Sequence, residues 1–272
     1  GDPLGNHGGL RKKTACMTPV TAVKAAPKKQ SYRGEMFTRR IPIVFLLAAL
    51  TVFLTAGELH SIPAEAVVVA KYRHPQLING VPEGWKLMRH SGTPNIDLVR
   101  EGDAYFVKLK SDPRSGFGIE RNVRVDLKEY PYLNWTWRAT RLPRGGDIRK
   151  SGTDDQVLQI YVVLPATGFP HQLNTPILTY IWDNEAPKGL TVRSPKPLLK
   201  KIRYLVVRNK TDRLGSWYTE KRNVYEDYKR IFSDVRGGEP LGATHGVRFY
   251  INSQNTRSYA EGYIGEVYFS KN

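Results

Sequence analysis

From residue 104 onward the chain repeats one pattern. Short stretches in which bulky apolar residues alternate with polar ones are separated by turn residues, and long helical periodicity is missing between them. Such stretches cover residues 104–109, 133–139, 157–164, 177–182, 202–207, 247–251 and 259–269. Period-two alternation puts successive side chains on opposite faces of a strand, so each stretch predicts a strand with one dry face. Ser111-Asp112-Pro113, Pro143-Arg144-Gly145-Gly146 and Ala186-Pro187-Lys188-Gly189 supply turns between them. Seven strands without alternating helices predict an all-β, antiparallel two-sheet sandwich of jelly-roll-like form. The absence of a fixed-period repeat argues against a propeller or solenoid.

One short helix is predicted in the C-terminal third. Val224, Tyr228, Ile231 and Phe232 fall on one helical face, and Asn223 stands three residues before Glu226 as an N-cap before its N3 carboxylate. Its expected place is over one end or edge of the sandwich, where it would keep strand edges from pairing with another chain.

The first 66 residues read differently. Residues 1–35 are rich in Gly, Pro and Lys, supply +5 of the net +17, and have no sustained apolar period. They are expected to be a non-native or disordered leader, with translation starting at Met36. Arg39 and Arg40 then precede an uncharged run over 41–57, the layout of a charged n-region and an apolar h-region. Residues 36–66 are therefore a signal peptide or a membrane anchor. Ala64-Glu65-Ala66 and the lack of a basic cluster directly after the run point to cleavage near Val67. A lipoprotein is excluded, because no Cys follows Leu54-Thr55-Ala56-Gly57, and Arg39-Arg40 is ordinary n-region content rather than a twin-arginine signal. Residues 67–272 are expected to form a single periplasmic or otherwise extracytoplasmic β-sandwich domain, touching a membrane only if 41–57 stays uncleaved.

The only Cys, Cys16, lies in the leader, so this domain folds without disulfides. It keeps an excess of Lys and Arg, which in an envelope compartment would meet a glycan or other anionic polymer rather than nucleic acid. Lys196, Lys200, Lys201 and Arg203 form the densest such stretch. It reads as a solvated loop or as an anionic contact patch.

No nucleophile elbow, zinc-protease helix, P-loop, dinucleotide fingerprint or paired Cys occurs. His74, His90, His171 and His245 are isolated, so neither a metal nor a cofactor is expected. A glycan hydrolase or lyase would need two carboxyls about 5 to 9 Å apart across a sugar, with Asp154, Asp155 and Glu220 as candidates beside Arg222. Adjacent Asp154 and Asp155 point to opposite sides of an extended backbone, and turn or cap duty is their simpler reading. The favoured reading is a non-catalytic sandwich that binds a polar or anionic ligand such as a glycan, with a purely structural envelope role as a further alternative. In the strand from Leu133, Trp135 and Trp137 share the face expected in the core, and Arg138 lies on the other face. Arg138, Tyr180, Trp182, Arg222 and Asp155 are the candidate ligand-binding residues. For Tyr180 and Trp182, sugar stacking competes with a place in the core, and for Arg222, ligand reading competes with a carboxylate pair that fixes the helix.

These residues also carry a resemblance. Pro82-x-Gly84-Trp85, Ser115-Gly116, Leu133-x-Trp135-x-Trp137-Arg138, Asp154-Asp155, Tyr180-x-Trp182, Leu214-Gly215-x-Trp217, Glu220-x-Arg222-x-Val224, Asp227-Tyr228, Phe232, Asn255-Thr256 and Gly265-Glu266 occur in that order. The set resembles the bacterial family called domain of unknown function 3047, over roughly residues 80 to 270. The resemblance implies an exported, single-domain β-sandwich with no established activity. One departure stands out: the family tends to carry acidic residues before its Asn-Thr, where this chain has Asn252-Ser253-Gln254. A carboxylate cluster there, and any cation it would hold, is not expected.

Overall fold

The chain divides into two units, Gly1–Gly57 and Glu58–Asn272, and the computed structural model describes residues 62–272, within the second. The leader and export expectations fall on residues 1–61, outside the described residues, except for the cleavage motif at Ala64. Among the described residues no helix is long and apolar enough to cross a membrane.

The strands are, in chain order, β1 (Val67–Ala70), β2 (Leu77–Ile78), β3 (Val81–Pro82), β4 (Lys86–Ser91), β5 (Ile96–Glu101), β6 (Ala104–Ser111), β7 (Gly116–Asn122), β8 (Tyr132–Arg141), β9 (Leu158–Val163), β10 (Ile177–Trp182), β11 (Thr191–Arg193), β12 (Ile202–Arg208), β13 (Tyr218–Asn223), β14 (Gly246–Asn252) and β15 (Ala260–Ser270). Two helices accompany them, α1 (His171–Asn174) and α2 (Val224–Ile231). One sheet has the order β13-β8-β15-β6-β5, with β1 also pairing to β15; the other has the order β11-β12-β10-β9-β14-β7-β4. The two pack into the expected sandwich. All seven predicted stretches are strands.

The structure adds strands where alternation is weak, such as β4, β5, β7 and β13. Their half-exposed or Gly-containing sequences pair because neighbouring strands offer a ladder, not because their own pattern demands it. α1 is a single turn that the sequence did not signal. One pairing departs from the antiparallel expectation: β10 and β12 run parallel. A parallel pair needs a long crossover, which the 183–201 connection supplies while also carrying β11.

The core holds the alternation's dry face. Trp135 and Trp137 from β8 meet Tyr180 and Trp182 from β10 across the gap between the sheets, with ring centroids 5.1 Å apart for Trp135–Tyr180 and 5.6 Å for Trp137–Trp182. All four are fully buried. Burial of several large aromatics supplies much of the apolar area that drives folding.

β13 runs directly into α2. Asn223 Oδ1 accepts the Glu226 backbone N–H at 3.0 Å, the expected cap. Val224, Tyr228 and Phe232 turn inward, the last two rings stacking at 4.6 Å, so α2 plugs the edge of the sandwich between β13 and β12. Asn223→Ala should cost about 1 kcal/mol through the orphaned N–H. A shift of the urea midpoint without change of slope would measure it.

Candidate functional site

Arg138 lies, as expected, on the wet face of β8. Its guanidinium sits 4.5 Å from the Trp217 ring centroid and 4.2 Å from that of Tyr263. It also forms a two-pronged ion pair with Glu101, which further accepts the Trp217 indole N–H at 3.2 Å. Hydrogen bonding from Arg138 holds the Glu101 carboxyl below its ordinary pKa. Glu101 thus answers the arginine's charge through two of its donor nitrogens, while its buried Nε has no partner. Arg138 is paired with a carboxylate of its own chain rather than left free on that face.

Tyr180 and Trp182 are core residues, closed off from any sugar ring. The Tyr180 hydroxyl donates to Asp227 at 3.0 Å, and Arg222 donates twice to the same carboxylate at 2.9 and 2.7 Å. Arg222 is therefore a structural clamp between β13 and α2, with Asp227 as its partner. Glu220 faces the inside of the same edge, accepting from Trp137 at 3.1 Å and from Arg208 at 2.6 Å. It is spoken for and lies on the core side, so it cannot join Asp154 across a sugar.

Asp154 and Asp155 lie before β9 in a tight turn, where the Asp155 N–H donates to the Thr153 carbonyl at 2.8 Å. Asp155 is fully buried and accepts four hydrogen bonds: from the Asn252 side chain at 2.8 Å, the Asn255 side chain at 3.0 Å and backbone at 3.3 Å, and the Thr256 backbone at 2.6 Å. The same two asparagines hold the Asp154 carbonyl at 2.6 and 2.7 Å. The sequence motifs Asp154-Asp155 and Asn255-Thr256 therefore form one joint, and amide donors stand where a carboxylate cluster would need a cation. Asp155 is an anchor, correcting its place among ligand-binding and catalytic candidates. Gly146 lets the 143–156 loop close on this joint, because a Cβ there would meet the Asp155 carbonyl at 2.3 Å.

With its backbone pinned, Asp154 is turned to the outer face of the seven-stranded sheet. In that face Tyr161 from β9, Thr179 from β10 and Tyr204 from β12 stand side by side in register, and Tyr250 from β14 stacks on Tyr161 at 6.0 Å. Gly118 makes room for Tyr250, since a Cβ there would lie 2.8 Å from its ring. Tyr161 donates to Gln159 at 2.7 Å, and Gln159 to Asn252 at 2.7 Å, tying the tyrosines to the Asp155 joint.

Asp154 is only 7% exposed. Burial pushes its carboxyl up to about 6, helped by the charges of Asp155 and Asp183 and opposed by Lys196 and a contact with Gln156. Burial, and then this carboxylate's charge among others, makes the hydroxyls of Tyr161, Tyr204 and Tyr250 weaker acids than usual. Thr179 Oγ1 and Gln156 Oε1 are buried without a partner. Unsatisfied buried polar groups cost stability and mark places where a ligand supplies what the protein does not. Asp183 is the next carboxylate, but the backbone N–H groups of Ile148 at 3.0 Å and Ala186 at 2.7 Å occupy it. Among the described residues no group of three His, Cys, Asp or Glu is arranged to hold a metal ion.

Sequence reasoning identified Asp154 but not its tyrosines. Gln159 and Tyr161 alternate within an otherwise aliphatic stretch, a polar stripe along one face of that strand. Tyr204 and Tyr250 join it only through strand order.

Fold and site together define a two-sheet β-sandwich protein with a polar, tyrosine-lined cluster on an outer sheet face. The chain belongs to the family described as protein of unknown function (DUF3047), whose model matches residues 83–268. No curated protein matches it. Among solved structures, it is similar to a family 11 carbohydrate-binding module from Clostridium thermocellum in complex with a β-1,3-1,4-mixed-linked tetrasaccharide, at 8% identity and TM-score 0.40 over 75% of this chain and 95% of that one. It is also similar to the xyloglucanase domain of NopAA, a type three effector from Sinorhizobium fredii, in complex with cellobiose, at 10% identity and TM-score 0.41 over 70% of this chain and 94% of that one.

Proposed function

We propose that this protein is an exported envelope β-sandwich that binds a hydroxyl-rich ligand, a glycan chain, at the Asp154 cluster without turning it over. The observation that carries the reading is the company Asp154 keeps. A buried carboxyl, three tyrosine hydroxyls, an unpartnered Thr179 hydroxyl and an unpartnered Gln156 carbonyl are the mixed donors and acceptors that sugar hydroxyls pair with. Tyr250 and Lys196 are partly exposed and open the cluster to solvent, with Lys196 donating to the Ser151 carbonyl at 3.3 Å. Binding without turnover is supported by the surrounding carboxylates. Asp155 and Asp183 are committed to backbone and amide donors, which leaves Asp154 without a free second carboxyl for hydrolysis.

A glycan array followed by calorimetry tests this. Tyr250→Phe should weaken binding of the selected glycan about tenfold, the worth of one good hydrogen bond, and leave the melting temperature nearly unchanged. Unchanged affinity in both Tyr250→Phe and Asp154→Asn would overturn the assignment. Sugar products that vanish in Asp154→Asn would replace binding with hydrolysis, with the raised Asp154 carboxyl as the acid.

A further inference from the structure

At the edge of the sandwich, on the core side of β11 and β12, lies a cavity of about 230 Å³ lined by Thr191, Arg193, Arg203, Ser233 and Asp234 among others. Arg193 and Arg203 are direct cross-strand partners. Like charges placed opposite each other on neighbouring strands repel, and an anion between them relieves the repulsion. One carboxylate serves both: Asp234 accepts from Arg193 at 2.7 Å and from the two terminal nitrogens of Arg203 at 2.5 and 2.9 Å. Hydrogen bonding from Arg203 draws its carboxyl down to about 2, so it remains charged. Two guanidiniums against one carboxylate leave the cavity with a net positive charge.

The two arginines differ in exposure. Arg203's side chain is 5% exposed, stacks 4.4 Å from the Phe232 ring centroid, bonds the Ile231 carbonyl, and keeps a buried Nε with no partner. Arg193 is 57% exposed at the mouth. A buried cation, an exposed cation, one carboxylate and the residues Thr191 and Ser233 therefore line one space.

We infer that this cavity binds the carboxylate of an acidic sugar, a uronate, with Arg193 closing on the carboxylate and Asp234 taking sugar hydroxyls. A phosphate suits it less well. The cavity sits at the C-terminal end of α2, where the Ile231 carbonyl and the helix dipole oppose a doubly charged phosphate more than a singly charged carboxylate. The inference shares with the proposed function only the class of ligand, since these groups lie on the opposite side of β11 and β12 from Tyr204 and Asp154.

Calorimetry with a trimer of galacturonic acid tests it, beside a neutral glucose trimer and inorganic phosphate. Wild type should bind the uronate trimer, and Arg193→Gln should lose at least tenfold in that affinity while melting like wild type, because the side chain is exposed. Arg193→Gln should leave binding of the neutral glycan selected by the array unchanged, which separates this site from the tyrosine cluster. Raising salt should weaken uronate binding and not any binding of the glucose trimer. Absence of uronate binding by wild type, equal uronate affinity in Arg193→Gln, or phosphate binding as tight as the uronate would each overturn the proposal.

Discussion

Trp137→Ala should destabilise the fold by about 3 to 5 kcal/mol, the range for deleting a fully buried large aromatic. The indole packs edge-on against Trp135 at 5.5 Å and against Trp182 at 5.6 Å. Alanine would leave a cavity that the flanking sheets, tied by their ladders, relax only partly to fill. Its N–H also donates to Glu220. Truncation would leave that carboxylate, which is mostly buried, with Arg208 alone. Denaturant unfolding measures the loss. A variant that melts within a degree or two of wild type would show that the indole is not a core group.

Asp154→Asn should act in the opposite direction, and only above acidic pH. The folded protein raises this carboxyl from an ordinary 3.8 to about 6. Between those values the folded state holds a proton that the unfolded chain has released, so stability falls as pH rises through this window and stays lower above it. Ionising so strongly raised a carboxyl costs the folded state about 3 kcal/mol at most. Asparagine removes the penalty, so the variant should gain about 2 to 3 kcal/mol over wild type at pH 7.5 and nothing at pH 3.5. Because Asp183 is also raised and Asp234 lowered, the difference between variant and wild type isolates Asp154. An equal gain at both pH values would show that the carboxyl ionises normally.

How far the sequence reached depended on the range of the interaction. Faces were legible because a strand's alternation is a property of neighbouring residues: Trp135 and Trp137 inward, Arg138 outward. The Asn223 cap was legible for the same reason, since its partner Glu226 is three residues away. What a side chain meets was not legible. Arg138 looked free because Glu101 reaches it only through the order β8-β15-β6-β5, and the carboxylate that Arg222 would pair with was named only when α2 brought Asp227 alongside. Tyr180 and Trp182 alternate in sequence, but both belong to the core because the tyrosine hydroxyl and the indole N–H find buried acceptors there, Asp227 and the Asn209 carbonyl. Tyr161, Tyr204 and Tyr250 come from three strands far apart in the chain and share a face only once β9, β10, β12 and β14 are in register. Local pattern encodes which way a residue points, whereas its partner, burial and ionisation depend on strand order, which long-range packing sets.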